Sequence, residues 1–244
     1  MKRAEFQYLQ AHIVKQLGGK DNAETYYRNV LKAKPHTEFS PAASDELRPN
    51  NDSLTLKVLP TTKRPNLDGL PNDPIWQNVV ASRQTIKLTK LDGNSMNDIA
   101  MVAKDDEYVY IYVKCYKSDR VSYHAKTPKL RQRDADLMNQ DRIEIEFDID
   151  RDLLSSWNIQ IDWRGQVYES CAGDKSWNPK MFVANHVDEH IWSVECAIPI
   201  KDLANEVKIG DVWRAKFHRQ QRDNNDRDTF WKMGSHDAGQ MIQF

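Results

Sequence analysis

Residues 142–149 read R-I-E-I-E-F-D-I, so an apolar side chain alternates with a charged one along the whole stretch. Successive side chains of a β-strand point to opposite faces, and the pattern therefore predicts a strand with one apolar and one charged face. The same period of two recurs at residues 98–114, 158–162, 191–198 and 212–219. Because turns rich in Asp, Asn and Gly separate these strands and no long helix intervenes, the sequence predicts an antiparallel β-sandwich.

The first 48 residues have a helical period instead. Apolar residues recur every three or four positions in the first predicted helix, at Phe6, Leu9, Ile13 and Leu17. A second helix is predicted over residues 23–31, with Pro35 after it, and a third short helix over residues 41–47. We therefore divide the chain into a helical segment, residues 1–49, and a sandwich domain, residues 50–244.

The helical segment resembles one tetratricopeptide repeat followed by the first helix of the next. Its small and aromatic residues recur in the order typical of that repeat, at Ala4, Tyr8, Ala11, Leu17-Gly18, Ala23, Tyr27 and Pro35. One such repeat cannot bury its own apolar faces, because repeats are stabilised mainly by their neighbours. The segment is thus either the end of a longer helical solenoid, which we expect, or a helical hairpin docked on the sandwich.

Composition and charge exclude several classes of partner. The 244 residues are 39% hydrophobic and 29% charged, which is typical of a globular chain, and the net charge of -1 gives no reason to expect nucleic acid as a partner. The mean hydropathy is -0.77 and no apolar run approaches twenty residues, so membrane insertion is not expected. The first residues, MKRAEFQYLQAH, lack the apolar core of a secretory signal peptide.

Six short motifs follow one another along the predicted sandwich: L-D-G with D-P-x-W at 67–76, the acidic turn and Y-V-Y-I-Y at 105–112, Q-D-R-I-E-I-E-F-D at 140–148, W-S-V-E-C-A-I-P at 192–199, G-D-V-W-R at 210–214, and G-Q-M-I-Q-F at 239–244. In this order they resemble the motifs of the family 9 carbohydrate-binding modules. The resemblance implies a sandwich of this type, also described as DOMON-like, with ligand contacts from loops and one concave face. Trp76, Trp192 and Trp213 are expected in its core.

The resemblance also implies a set of carbohydrate-binding residues. Sugars are held by apolar surfaces that stack on the C–H face of the ring and by planar polar side chains that hydrogen-bond the hydroxyls. Trp231 matches one of the two tryptophans with which the family's sugar-binding members clamp a terminal sugar, and Asp141 and Glu144 match acidic positions of the central strand.

Two expected positions of the family site carry other residues here. Met138 stands where the first clamp tryptophan is expected, and Gln160 stands where a sugar-binding arginine is expected. Methionine can pack on a sugar ring and glutamine can hydrogen-bond its hydroxyls, so both remain candidates. Trp163 and Trp177 are unassigned aromatic residues that could replace the missing clamp residue.

Three patterns look catalytic or metal-binding, but the sequence context argues against each. The H-x-x-E-H motif at 186–190 needs a helix to bind zinc, and here it runs into a predicted strand. Asp141 and Glu144 are three apart on a strand, so they point to opposite faces and cannot act as a glycosidase pair. The acids at 148, 150 and 152 lack the glycine and distal glutamate of an EF-hand loop. No cofactor is expected to be required, although the resemblance allows structural calcium at an acidic loop.

The sequence thus predicts a non-catalytic module that binds oligo- or polysaccharide within a larger secreted or envelope protein, so that the chain would be periplasmic, envelope-bound or extracellular. One alternative is a scaffold whose helical segment binds a protein partner and whose sandwich has lost sugar binding. A second is an accessory domain of a glycan-degrading enzyme whose catalytic domain lies elsewhere.

Overall fold

The computed structural model describes residues 2–33, 39–48, 55–89, 95–119, 121–123, 134–221 and 240–244. Within these ranges two sheets of six strands each pack face to face and enclose the main apolar core. This confirms the predicted mainly-β sandwich with an N-terminal helical segment. Most neighbouring strands are antiparallel, but β1 pairs with β12 and β2 with β4 in parallel.

Sheet A has the strand order β1-β12-β11-β6-β7-β8, and sheet B has the order β2-β4-β5-β10-β9, with β3 also paired to β4. The strands of sheet A are β1 (Leu56–Lys57), β6 (Arg142–Asp148), β7 (Trp157–Asp162), β8 (Val167–Cys171), β11 (Val212–Gln220) and β12 (Gln240–Gln243). Those of sheet B are β2 (Leu59–Pro60), β3 (Thr85–Thr89), β4 (Ser95–Lys104), β5 (Tyr108–Tyr116), β9 (Phe182–Val187) and β10 (Ile191–Pro199). The helices are α1 (Lys2–Gln16), α2 (Lys20–Lys32), α3 (Phe39–Glu46), α4 (Pro74–Ala81) and α5 (Ile200–Leu203).

One buried carboxylate explains the first and fourth sequence motifs. Glu195 of β10 points to the outer face of sheet B, where Trp76 Nε1 of α4 donates to its Oε1 at 2.7 Å. The backbone amides of Asp68 and Gly69 donate to its Oε2 at 3.0 and 3.1 Å. The L-D-G turn and α4 are thereby held against sheet B, and Trp76 is completely buried there. Trp192 and Trp213 lie in the core between the sheets, as expected, whereas Trp76 is buried in a second apolar cluster between α4 and the outer face of sheet B.

The helical segment docks on the outer face of sheet A. Arg214 of β11, a fully buried side chain, places its Nη1 3.1 Å from the Asp45 carboxylate of α3. The Glu46 carboxylate accepts from Lys15 Nζ at 2.5 Å and lies 3.3 Å from Arg151 Nε. The Tyr8 hydroxyl also donates to the Arg151 carbonyl at 2.7 Å. These contacts are those of a docked helical hairpin, the alternative that the sequence left open. The resemblance to a tetratricopeptide repeat stays a prediction, and the proposed boundary at residues 49 and 50 lies outside the described residues.

In the described part of the chain, no helix combines the length and the apolar character that crossing a bilayer requires.

Candidate functional site

The outward-facing side chains of β6, β7 and β11 form a polar surface, which we call the polar face. Alternation puts Ile143, Ile145 and Phe147 into the core, so the residues between them point outward. The polar face consists of Arg142, Glu144, Glu146, Asn158, Gln160, Lys216, His218 and Gln220.

Strand register arranges this surface in rows. Glu144 of β6 lies between His218 of β11 and Gln160 of β7, and Tyr168 of β8 extends the same row. Residues directly opposite each other in a sheet are close enough for their side chains to interact. The polar face is therefore a continuous array of amide, carboxylate and imidazole groups.

Glu144 is the centre of a hydrogen-bond network on the polar face. Gln220 Nε2 donates to its Oε2 at 2.6 Å, and Asn158 Nδ2 donates to its Oε1. Gln160 Nε2 in turn donates to Asn158 Oδ1 at 3.3 Å. The side chains of three strands are thus linked in fixed orientations.

Arg142 connects this network to the loop that precedes β6. Its Nε donates to Gln160 Oε1 at 3.0 Å, and its Nη2 donates to Gln220 Oε1. Its Nη1 donates to the carbonyl of Leu137 at 3.1 Å. Burial lowers the pKa of the Arg142 guanidinium, and the nearby Glu144 carboxylate opposes that effect.

The charges of the polar face balance one another. Lys216 Nζ lies 3.2 Å from Glu146 Oε1, and Arg142 is offset by Glu144. The face thus offers paired donors and acceptors with no net charge from these four groups, an arrangement suited to an uncharged, hydroxyl-rich ligand.

Two apolar side chains border the polar face. Met138 lies in the loop before β6 with 54% of its surface exposed, and Arg142 Nη1 approaches its carbonyl at 3.5 Å. Tyr168 is half-buried at the opposite border, and Lys175 Nζ lies 5.4 Å from its ring centroid. Both side chains could contact the C–H face of a sugar ring.

The structure therefore brings three of the predicted site residues together: Met138, Glu144 and Gln160. Trp231, the predicted clamp tryptophan, lies outside the described residues. It belongs to the connection between Gln220, which bonds Glu144, and Gln240.

Asp141 is a correction to the predicted site. Its side chain is fully buried on the core side of β6. The carboxylate accepts from Arg219 Nε at 2.9 Å, from Tyr123 Oη at 2.6 Å and from Trp192 Nε1 at 2.9 Å. Asp141 is 0% exposed, so a ligand on the surface cannot reach its carboxylate, and Asp141 is a core residue.

Trp163 and Trp177 also do not join the polar face. Trp163 is only 4% exposed and packs edge-on against Tyr123 in the core, with ring centroids 5.6 Å apart. Trp177 lies in the loop after β8, and its Nε1 donates to the Asp202 carbonyl of α5 at 3.0 Å. Because Cys171 at the end of β8 pairs with Trp157, this loop leaves the sheet at the end opposite to Met138.

The patterns that resemble catalytic motifs are structural. His186 is the second-to-last residue of β9, and residues 188–190 form the turn into β10. The H-x-x-E-H motif is therefore not on a helix, as predicted. Asp141 and Glu144 lie on opposite faces of β6, also as predicted.

The acidic triplet after β6 is hydrogen-bonded to its own loop. One oxygen each of Asp148, Asp150 and Asp152 lies within 4.8 Å of the others. However, both oxygens of Asp148 accept backbone amides, from Asp152 and Leu153, at 3.1 Å. Asp152 Oδ1 accepts two further amides at 2.7 and 2.8 Å, and the Arg214 guanidinium adds positive charge 3.9 Å from Asp148. Asp148 and Asp152 thereby stabilise the loop, and structural calcium at an acidic loop stays a prediction.

Comparison with known proteins supports the fold assignment. No protein-family model and no curated protein matches this chain. A family 9 carbohydrate-binding module from Caldicellulosiruptor kristjanssonii, solved in complex with cellotriose, is similar with a TM-score of 0.51 at 17% identity, over 77% of this chain and 92% of that one. A family 9 module from the same organism in complex with glucose has the same TM-score and identity, over 77% of this chain and 94% of that one. The chain shares their sandwich fold.

Proposed function

We propose that this protein binds oligo- or polysaccharide at the polar face. The observation that carries the proposal is the ordered network of Glu144, Asn158, Gln160 and Gln220 beside the exposed Met138. Amide and carboxylate groups on adjacent strands present the paired donors and acceptors that vicinal sugar hydroxyls require. The fold neighbours solved with cellotriose and glucose support a sugar as ligand and make these two compounds the first to test.

The decisive experiment is a glycan array with the intact protein, followed by affinity measurements on each glycan that binds. Glu144→Ala and Gln160→Ala should each weaken binding about tenfold, since each removes hydrogen bonds to the ligand that are worth roughly 1–2 kcal/mol. Glu189→Ala and Gln77→Ala are matched controls, because both residues are exposed and lie outside the polar face. Absence of all glycan binding by the wild type would refute the proposal.

Trp231 deserves a separate test, as its role is taken from the family resemblance alone. If it clamps the sugar, Trp231→Ala should weaken retention on an immobilised polysaccharide and leave the melting temperature nearly unchanged. A large loss of stability with unchanged binding would assign Trp231 to the core instead.

We further propose that binding occurs without catalysis, within a larger secreted, periplasmic or envelope protein. A glycosidase needs one carboxyl group that stays protonated as the general acid. On the polar face Glu146 is paired with Lys216 and Glu144 accepts from two side-chain amides, and both arrangements favour the ionised form. Prolonged incubation with any glycan that binds should release no new reducing ends. Cell fractionation would check the proposed location.

A protein partner for the helical segment is the second candidate function. Phe6, Ile13 and Leu17 of the α1 region are 61%, 58% and 83% exposed. Their spacings of seven and four residues place them on one side of the helix, as in a helix that packs against another. If the array is negative, this scaffold function becomes the better explanation.

A further inference from the structure

The least accessible side chain of the polar face is Arg142, at the start of β6. Arg142 is only 8% exposed, although it lies on the outward side of β6. Its guanidinium nitrogens donate to Gln160 on β7, to Gln220 on β11 and to the backbone of the loop that carries Met138. Three separate parts of the chain therefore meet at one guanidinium group.

We propose that Arg142 is the positioning residue of the polar face, which sets the orientation of the Gln160 and Gln220 amides for ligand binding and holds the backbone of the loop that carries Met138. This inference rests on the proposed function, since it concerns the same site. It assigns to Arg142 an action through its neighbours, because its donors are used within the protein.

The orientation of the two amides follows from the charge on Arg142. A glutamine amide can be turned by half a rotation to exchange its donor and acceptor ends. A guanidinium only donates, so both Gln160 and Gln220 must turn their Oε1 atoms toward it. Their amino groups then point to Asn158 and Glu144. Arg142 thereby determines the donor and acceptor pattern that a ligand would meet across three strands.

Lysine cannot replace this function. The planar guanidinium offers five donors in a fixed fork, whereas a lysine ammonium is a point charge on a flexible stem. Arg142 uses the fork in three directions at once, with Nε, Nη1 and Nη2 each bonded to a different segment. Retaining the charge without the fork should therefore leave at least one of the amides unfixed.

The test compares Arg142→Met and Arg142→Lys with the wild type, with Arg64→Met as the control. Arg64 is an exposed arginine that pairs with Asp105 and Glu107, away from the polar face. Cellotriose, glucose and the glycans that bind on the array are titrated calorimetrically. Both Arg142 variants should bind about tenfold more weakly, a change of about 1.4 kcal/mol, and should distinguish less between glycans. Arg64→Met should bind as the wild type does.

A second readout separates positioning from binding. The side-chain amide signals of Gln160 and Gln220 in the ligand-free protein should be dispersed and rigid in the wild type, and averaged in both Arg142 variants. If these signals stay unchanged, or if folded Arg142→Lys binds within twofold of the wild type, Arg142 does not position the site. If the wild type binds no glycan, the proposed function fails, while the amide signals still decide whether Arg142 orders the polar face. If Arg142→Met does not fold, Arg142→Lys, which keeps the buried charge, decides both questions.

Discussion

Replacing Arg214 with methionine should loosen the helical segment from the sandwich in a pH-dependent way. The Arg214 guanidinium is fully buried between Asp45 at 3.1 Å, Asp148 at 3.9 Å and Glu46 at 4.0 Å. Removing one partner of a buried ion pair typically costs about 3–5 kcal/mol, because the other charges remain buried and uncompensated. At pH 8 we expect Arg214→Met to lower the free energy of unfolding by about that amount.

At acid pH the same substitution should cost less. Burial raises the pKa of Asp148 to about 7 and also raises the pKa of Asp45. At pH 5.5 Asp148 is therefore protonated, and one fewer negative charge loses its partner when Arg214 is removed. The loss should shrink by about 1–2 kcal/mol between pH 8 and pH 5.5.

Urea denaturation at the two pH values, followed by tryptophan fluorescence, measures this difference. Hydrogen exchange over α3 would show whether the instability begins at the docked helix. Arg48→Met is a matched control, since Arg48 pairs with the same Asp45 carboxylate at 2.7 Å but has 36% of its side chain exposed. Such a pair contributes about 1 kcal/mol or less. An Arg214→Met loss no larger than that of Arg48→Met, or equal at both pH values, would refute the role assigned to the buried guanidinium.

Three further predictions concern stability. Glu195→Ala should cost about 3 kcal/mol in urea denaturation, because it leaves Trp76 Nε1 and two backbone amides without their acceptor, whereas Glu189→Ala at the exposed turn should cost little. Gly69→Ala should lower the melting temperature much more than Gly173→Ala. Both glycines have a positive φ, +80° and +82°, so the backbone strain is similar. A Cβ on Gly69 would lie 2.6 Å from a backbone nitrogen, whereas one on Gly173 would have no atom within 4 Å. The wild type should lose stability as the pH rises from about 4 to about 7, because over this range the folded state holds a proton on Asp148 that the unfolded chain has lost. Asp148→Asn should flatten that slope, and an unchanged slope would show that another group is responsible.

Alternation of apolar and polar residues predicted the sandwich correctly. It also indicates on which face of a strand each candidate side chain lies. Asp141 has the same parity along β6 as Ile143 and Ile145, and Trp163 has the same parity as Ile159 and Ile161 of β7. The period of two alone would have placed both in the core. Asp141 instead became a site candidate because of the family resemblance, and Trp163 because it was an unassigned aromatic residue.

The contacts of Arg142 could not be predicted from the sequence. Its contact with Gln220 joins residues 78 positions apart, and it depends on the register between β6 and β11. A one-residue change in register would turn every side chain of one strand to the other face, and no local pattern defines the register of strands joined by long connections. The docking of α3 through Arg214 depends on the same kind of long-range pairing, which is why the sequence left two arrangements open.

Docking of α3 over Arg214 and Asp148 would also limit the direction of a polymer bound at the polar face. Before the residues beneath α3 begin, the polar face extends along β6 from Arg142 to Glu146, about 14 Å of strand. A glycan chain laid parallel to the strands would end against the helix within a few sugar units. A long polysaccharide would instead have to run across the strands, from β11 toward Tyr168. The helical segment would thus sterically restrict the orientation of the bound chain relative to the strands.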